Sequence, residues 1–120
     1  MERNTISIYG NTVVLSGNNI WMTDYEIADQ LGVTLSVVNC RIKSIYKSGA
    51  LRESDTYRYI HLENGNRADV YNMEMITALA FGLNSLPAKV FRAWVVKKAV
   101  TPIRTEPSIV VQLKDNSLLC

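Results

Sequence analysis

Residues 26–42 have the sequence Glu26-Ile27-Ala28-Asp29-Gln30-Leu31-Gly32-Val33-Thr34-Leu35-Ser36-Val37-Val38-Asn39-Cys40-Arg41-Ile42, which predicts two helices joined by a tight turn. Ala28 is small enough to let the helices touch, and Gly32 tolerates the positive φ that the turn requires. The second helix is expected from about Thr34 to Tyr46, and its buried side is predicted to be Val37, Val38, Ile42 and Ile45. These features indicate a helix-turn-helix.

The other side of the second predicted helix carries groups that suit DNA. Asn39 can pair with adenine through two hydrogen bonds, and Lys43 can reach guanine or a phosphate. Thr34 and Ser36 stand at the helix start, where hydroxyls and free N–H groups bind phosphate oxygens. Leu35 can touch a thymine methyl. We therefore expect this helix to be the recognition helix.

The net charge of +2 hides two basic segments. Residues 33–60 contain two acids and five bases, namely Arg41, Lys43, Lys47, Arg52 and Arg58. Residues 84–104 contain no acid and also five bases, namely Lys89, Arg92, Lys97, Lys98 and Arg104. The two segments are either positive faces that bind phosphates or solvated helix faces. As phosphate contacts we expect Lys47 in the first segment and a row of Arg92, Lys97 and Lys98 in the second.

Cys40 also faces outward on the second predicted helix, where it is either a redox sensor or simply a small residue.

The flanking segments predict strands and further helices. Residues 5–22 are expected to form β-structure, with an N-terminal hairpin turning at Gly10-Asn11, and Thr23 and Glu26 form a capping box at the next helix. A second hairpin is predicted from Tyr57–Leu62 and Arg67–Tyr71 around an Asn-Gly turn. It is either a wing whose Arg58 and Arg67 contact phosphates or a sheet hairpin whose charges keep it soluble. Two helices should follow, Met73–Phe81 and another from Ser85 to about Val100.

Composition and length fit one domain of class α+β. The chain has 120 residues, of which 48% are hydrophobic and 20% charged. We predict a winged helix-turn-helix-like domain over residues 1–100, with an N-terminal β-hairpin and two C-terminal helices. Residues 101–120 are expected to be a linker and a tail with a short strand at Ser108–Leu113. Four aromatic side chains are expected in the core: Trp21, Phe81, Phe91 and Trp94.

Several functions are disfavoured by the sequence. No apolar run approaches the roughly 18 residues of a membrane span, and the cysteines at 40 and 120 have no metal-ligand spacing. His61 is the single histidine, so no catalytic pair has a second base, and we expect it at the surface. We predict a cytoplasmic protein that is not an enzyme, has no cofactor, metal or membrane partner, and shows no site for a small-molecule substrate.

Residues 21–99 resemble the RhuM-like virulence-associated proteins and, more distantly, the Bro-N and KilA-N-type DNA-binding domains of phages. The matching segments are Trp21-Met22-Thr23, Glu26–Val33, Val70-Tyr71-Asn72-Met73-Glu74-Met75-Ile76, Leu83-Asn84-Ser85 and Val90-Phe91-Arg92-Ala93-Trp94. The resemblance implies a DNA-binding module of mobile elements or accessory regulators and no catalytic activity. Proteins of this family usually continue well past the domain.

The predicted function is sequence-dependent binding of double-stranded DNA, by a transcriptional regulator or mobile-element accessory protein. One recognition helix reads only about four or five base pairs, so a homodimer is expected to extend the site. The last helix, with Trp94, is a candidate dimer surface. The alternative is a protein-interaction adaptor that keeps the fold without contacting DNA.

Overall fold

The computed structural model describes residues 3–100, in which N-terminal antiparallel strands precede the helices that close the core. Its strands are β1 (Ile6–Tyr9), β2 (Thr12–Leu15), β3 (Trp21–Thr23), β4 (Tyr57–His61) and β5 (Arg67–Asn72). Its helices are α1 (Asp24–Leu31), α2 (Leu35–Ser48), α3 (Glu53–Thr56), α4 (Met73–Phe81) and α5 (Leu86–Val100). The α+β prediction is confirmed. The predicted linker 101–107 and strand Ser108–Leu113 lie outside the described residues.

The N-terminal hairpin forms as predicted. Strands β1 and β2 pair antiparallel, with Ile6 opposite Leu15 and Tyr9 opposite Thr12. The apolar side chains on one face of this hairpin pack against the core, and the side chains between them face the other way, as strand alternation requires. The backbone N–H of Ile8 donates to Gln30 Oε1 at 2.8 Å, which ties β1 to α1.

The second sheet has the strand order β3-β5-β4, and both of its pairings are antiparallel. Trp21 of β3 lies opposite Asn72 of β5, and Tyr57 of β4 lies opposite Tyr71. The hairpin β4–β5 is the predicted one. In the chain, α1, α2 and α3 lie between β3 and β4, so these three helices are an insertion between two strands of the same sheet.

Side-chain caps lie at the starts of four helices, and the first of them is the predicted capping box. Thr23 Oγ1 accepts from the N–H of Glu26 at 3.1 Å, and Glu26 Oε1 accepts from the N–H of Thr23 at 2.8 Å, which completes the capping box. Thr34 Oγ1 and Asn72 Oδ1 each accept one backbone N–H at the starts of α2 and α4, and Ser85 Oγ accepts from the N–H of Ala88 at the start of α5.

One hydrophobic core joins the sheet to the helices. Its members include Met22 and Tyr71 from the sheet, Val38 from α2, Leu79 from α4 and Phe91 from α5. Two expectations about this core were wrong.

Val37 is 38% exposed and Phe81 is 40% exposed. Successive residues of a helix are turned by about 100°, so Val37 faces away from Val38 and its buried neighbours on α2. Phe81 is the last residue of α4, and only part of its ring is covered there.

The capping carboxylate of Glu26 also forms an ion pair with Arg3, in which Arg3 Nη1 and Glu26 Oε1 are 2.6 Å apart. Burial raises the pKa of Glu26, but the hydrogen bonds from Arg3 and Thr23 outweigh burial and leave this pKa below its ordinary value. A carboxylate whose pKa is depressed by folding stabilises the protein above its unfolded-state pKa, and this contribution is lost as pH falls through the folded-state pKa.

Replacing Glu26 by Gln should therefore have a pH-dependent effect. Glutamine can complete a capping box but carries no charge, so Glu26→Gln is expected to lower the free energy of unfolding by about 0.5–1 kcal/mol at pH 7. The difference from the natural protein should shrink as pH falls below about 4.5, as measured by urea unfolding across this range. A difference that stays constant with pH would show that the charge contributes nothing.

Candidate nucleic-acid interface

The turn between α1 and α2 is Gly32-Val33-Thr34, and Gly32 has φ of +66°, as the sequence predicted. The N–H of Val33 donates to the carbonyl of Ala28 at 3.1 Å, which closes α1. Ala28 is buried, and its predicted contact with α2 stays a prediction. The turn therefore fixes the orientation of α2 relative to α1.

The first turn of α5 supports this turn from inside the domain. Ser85 Oγ donates to the carbonyl oxygen of Leu31, the last residue of α1. Pro87 Cγ lies 3.2 Å from the place where a Cβ on Gly32 would be. These long-range contacts hold the helix pair against α5.

The outward face of α2 is a stripe formed by Ser36, Cys40, Lys43 and Lys47. Their spacing of four, three and four residues places them on one side of the helix, opposite the buried Val38, Ile42 and Ile45. Ser36, Lys43 and Lys47 are exposed, and Cys40 is half-buried. We call these four residues the α2 stripe.

Asn39 lies beside the α2 stripe rather than within it. It is half-buried and shares a flank of α2 with Tyr46, seven residues further on. The hydroxyl of Tyr46 lies 2.8 Å from Thr56 Oγ1, so this flank faces α3. Asn39 therefore borders the exposed surface on the side towards α3.

Thr34 and Leu35 lie at the start of α2. Thr34 Oγ1 already accepts a hydrogen bond from the N–H of Val37 at 3.3 Å, which leaves its hydroxyl hydrogen available as a donor. Leu35 is 40% exposed and can contact a partner directly.

The two lysines of the α2 stripe differ from Arg52 in their ionic contacts. Within residues 3–100, neither Lys43 nor Lys47 forms an ion pair, whereas Arg52 lies 3.8 Å from a carboxylate oxygen of Asp55. An exposed lysine without an acidic neighbour has its full charge available for a phosphate. Within the predicted basic segment 33–60, Lys43 and Lys47 can therefore meet a phosphate directly, whereas Arg52 already has a carboxylate beside it.

The hairpin arginines are held on aromatic rings. Arg58 Cζ lies 4.6 Å from the centroid of the Trp21 ring, and Arg67 Cζ lies 4.3 Å from that of Tyr59. Arg58 is paired with Val70, and residues 67 and 70 point to opposite faces of β5. The two guanidinium groups therefore lie on opposite faces of the hairpin. The residue pattern of each β-strand alone did not reveal this, because it depends on how β4 and β5 pair.

Three tyrosines near this sheet hold their protons more strongly than usual. Burial is the main cause that raises the pKa of Tyr46 and of Tyr71. The hydroxyl of Tyr57 donates to Asp69 Oδ1 at 2.6 Å, and this bond to the carboxylate raises the pKa of Tyr57. These hydroxyls stay neutral at physiological pH.

Arg92 of α5 has a structural position, in contrast to its predicted place in a phosphate-binding row. Its Nη1 donates to the carbonyl of Ala80 at 2.9 Å and to that of Leu83. Ala80 is in the last turn of α4, where its carbonyl also accepts from the N–H of Leu83 at 3.4 Å, and Leu83 follows the end of the helix. Lys98 has a different environment, with Nζ 5.9 Å from the centroid of Trp94.

Replacing Arg92 by Met should therefore destabilise the fold. The change keeps most of the apolar stem and removes the guanidinium donor from the carbonyls of Leu83 and Ala80, so the expected loss is about 2 kcal/mol of the free energy of unfolding. The exposed Lys98→Met is the matched control and should change it by less than about 0.5 kcal/mol. Chemical denaturation measures both, and equal effects would contradict the capping role of Arg92.

His61 is exposed, as predicted, and its ring meets that of Tyr59 edge-on at 5.8 Å between centroids. Among residues 3–100, no three His, Cys, Asp or Glu side chains come together as a metal site would need. None of the helices in this part of the chain has the length and apolar character needed to cross a bilayer.

No family model, curated protein or solved structure matches this chain. The resemblance to RhuM-like proteins therefore stays a prediction that is based on the motifs quoted above.

Proposed function

We propose that this protein binds double-stranded DNA in a sequence-dependent manner, with α2 as the recognition helix in the major groove. The observation that carries the proposal is the α2 stripe, because its two exposed lysines form no ion pair within residues 3–100 and its small side chains leave room for base edges. Ser36 and Lys43 contact bases or phosphates, and Lys47 contacts the backbone.

The residues around the stripe complete the proposed interface. Thr34 donates its hydroxyl hydrogen to a phosphate, and Leu35 contacts a thymine methyl. Asn39 reads a base at the edge of the contact on the α3 side, since it is half-buried on that flank. Cys40 lies between Ser36 and Lys43 and allows close approach because its side chain is small.

The strand order β3-β5-β4 supports the interpretation of β4–β5 as a wing. β3 anchors the hairpin next to the helix pair, so that the hairpin tip extends beyond the sheet. Arg58 and Arg67 project from opposite faces of the hairpin. We propose that each reaches the phosphates of a different DNA strand when the hairpin approaches the minor groove.

The biological setting belongs to the same proposal. The protein acts in the cytoplasm as a transcriptional regulator or mobile-element accessory protein of the RhuM-like type, without a catalytic step. It binds as a homodimer, because one recognition helix reads too few base pairs for a unique site and two-fold symmetry doubles that number.

A second candidate is a protein-interaction adaptor, which is favoured by the surface beside the start of α2. There Tyr25 is 71% exposed and Leu35 40%, and both line a shallow groove next to Asp29. Apolar groups beside a carboxylate suit a protein partner better than a phosphate.

Selection of bound sites from a pool of random duplexes tests the proposed function. A palindromic consensus is expected if a homodimer reads two half-sites, and affinity for it should fall steeply as salt concentration rises. Failure to enrich any sequence, together with binding that is insensitive to salt, would favour the adaptor.

A further inference from the structure

Arg41 lies on the flank of α2 that faces the end of α4. Its Nη1 atom is 3.0 Å from the place where a Cβ on Gly82 would be, and Gly82 is the residue that ends α4. Helical spacing puts Arg41 on the opposite flank of α2 from Tyr46, whose hydroxyl contacts Thr56 of α3. One flank of α2 is therefore turned to α3 and the other to the end of α4.

The glycine at position 82 leaves room for this arginine. Gly82 has φ of −101° and ψ of 0°, which is not the left-handed conformation that favours glycine. A side chain at this position would instead displace the guanidinium of Arg41, which lies in the space beside the glycine. The absence of a side chain at Gly82 therefore lets the guanidinium lie against the end of α4.

The Arg41 guanidinium has no counter-ion in the part of the chain that the structure describes. Within residues 3–100 it forms neither an ion pair nor a side-chain hydrogen bond. The two segments that meet here, residues 30–52 and 75–100, contain no aspartate or glutamate. Arg92 brings a second guanidinium to the same turn, where it donates to the carbonyls of Ala80 and Leu83. Because Arg92 already serves these carbonyls, the donors of Arg41 are left for an anion.

We propose that Arg41 binds a phosphate of the DNA strand that lies on the α4 side of α2. This inference rests on the proposed function, because an α-helix in the major groove has a phosphate backbone on each side. The planar guanidinium donates two hydrogen bonds to the oxygens of one phosphate. Such a contact fixes the position of α2 in the groove and reads no base.

The first test compares Arg41→Gln with Arg52→Gln in the full chain. Both remove one positive charge from residues 33–60, but Arg52 already has Asp55 beside it. Arg41→Gln should weaken duplex binding about tenfold at about 0.1 M salt and reduce the slope of log affinity against log salt by about 1. Arg52→Gln should change affinity by less than about twofold.

The same comparison is made on the site selected from random duplexes and on a scrambled duplex. Because a phosphate contact carries no sequence information, the loss in Arg41→Gln should be equal on both. Electrophoretic mobility shift measures these affinities. A loss confined to the selected site would overturn the proposal by showing that Arg41 reads a base.

Gly82→Leu tests the place of the guanidinium without changing any charge. The leucine side chain takes up the room beside Arg41 and pushes its guanidinium aside, so duplex affinity should fall several-fold. In the Arg41→Gln background the same change should have no further effect, because no guanidinium remains to be displaced. Thermal unfolding confirms that each variant is folded, and additive losses would overturn the proposal.

Lys43→Glu/Lys47→Glu separates this inference from the proposed function. If that variant weakens duplex binding while Arg41→Gln behaves like Arg52→Gln, then Arg41 binds no phosphate and α2 remains the recognition helix. If Arg41→Gln lowers thermal stability and leaves duplex affinity unchanged, the guanidinium serves only the end of α4, and the inference is wrong. If the natural chain binds no duplex at any salt concentration, the proposed function and this inference both fail.

Discussion

Lys43→Glu/Lys47→Glu is expected to weaken duplex binding at least 100-fold at about 0.1 M salt. A specific base contact contributes roughly 1–3 kcal/mol, and reversal of a charge adds repulsion from the phosphates to the lost attraction. Two such changes on one exposed stripe should together exceed about 2.8 kcal/mol, the equivalent of a factor of 100. Both side chains are exposed and unpaired within the described residues, so folding should be unaffected.

The dependence on salt separates the α2 stripe from general electrostatic attraction. Loss of the Lys47 contact with the DNA backbone should reduce the slope of log affinity against log salt by about 1, and by about 2 where Lys43 also contacts a phosphate. Lys89→Glu/Lys97→Glu, with the same change of net charge on α5, should leave both affinity and slope nearly unchanged. If the α5 variant lost as much affinity as the α2 variant, α2 would not be the recognition helix. Electrophoretic mobility shift at several salt concentrations measures these quantities.

The features that the sequence predicted well are those that depend on neighbouring residues. The capping box of Thr23 and Glu26, the positive φ of Gly32 and the hairpin around Asn64-Gly65 each involve residues a few positions apart. Local hydrogen bonds and backbone sterics decide such features, so composition at fixed offsets is sufficient. The bounds of the longer helices followed from the same signals.

The features that sequence reasoning missed depend on contacts between distant segments. Pairing of β3 with β5 joins residues about fifty positions apart, and no local pattern names the partner of a three-residue strand. The short helix α3 has no side-chain cap that could have marked its start. Arg92 looked like a surface base because its helix carries lysines, yet the carbonyls that it binds belong to the end of α4.

The same distinction between local features and contacts of distant segments applies to the residues of the candidate site. Helical spacing was enough to identify the exposed residues Ser36, Lys43 and Lys47. It was not enough for Asn39, which is half-buried on the same flank of α2 as Tyr46; the hydroxyl of Tyr46 lies against Thr56 of α3, an element that the sequence did not reveal. The stacking of Arg58 on Trp21 across β5 also required the sheet order. The exposure of a side chain was therefore predictable where it depends on one helix alone, and was not predictable where a second helix or strand lies against it.

Gly32→Val is expected to lower the free energy of unfolding by about 3–4 kcal/mol. Valine at φ of +66° is strained, at a cost of roughly 1–3 kcal/mol. Its Cβ would also lie 3.2 Å from Pro87 Cγ, and overpacking of this kind costs a further 1–3 kcal/mol or so. Both effects act at the turn that carries α2.

Gly49→Val separates the two contributions. Gly49 ends α2 with φ of +78°, and a Cβ there would meet nothing within 4 Å, so this variant has the backbone strain alone. Urea unfolding should therefore show a smaller loss for Gly49→Val, by about 1–2 kcal/mol. Equal losses would mean that Pro87 moves aside at no cost in free energy.

If the losses differ as expected, the turn is held by α5 as well as by its own backbone. A side chain at position 32 is then expected to move α2 relative to the rest of the domain. Gly32→Val should then weaken duplex binding even where it is fully folded, whereas Gly49→Val should not.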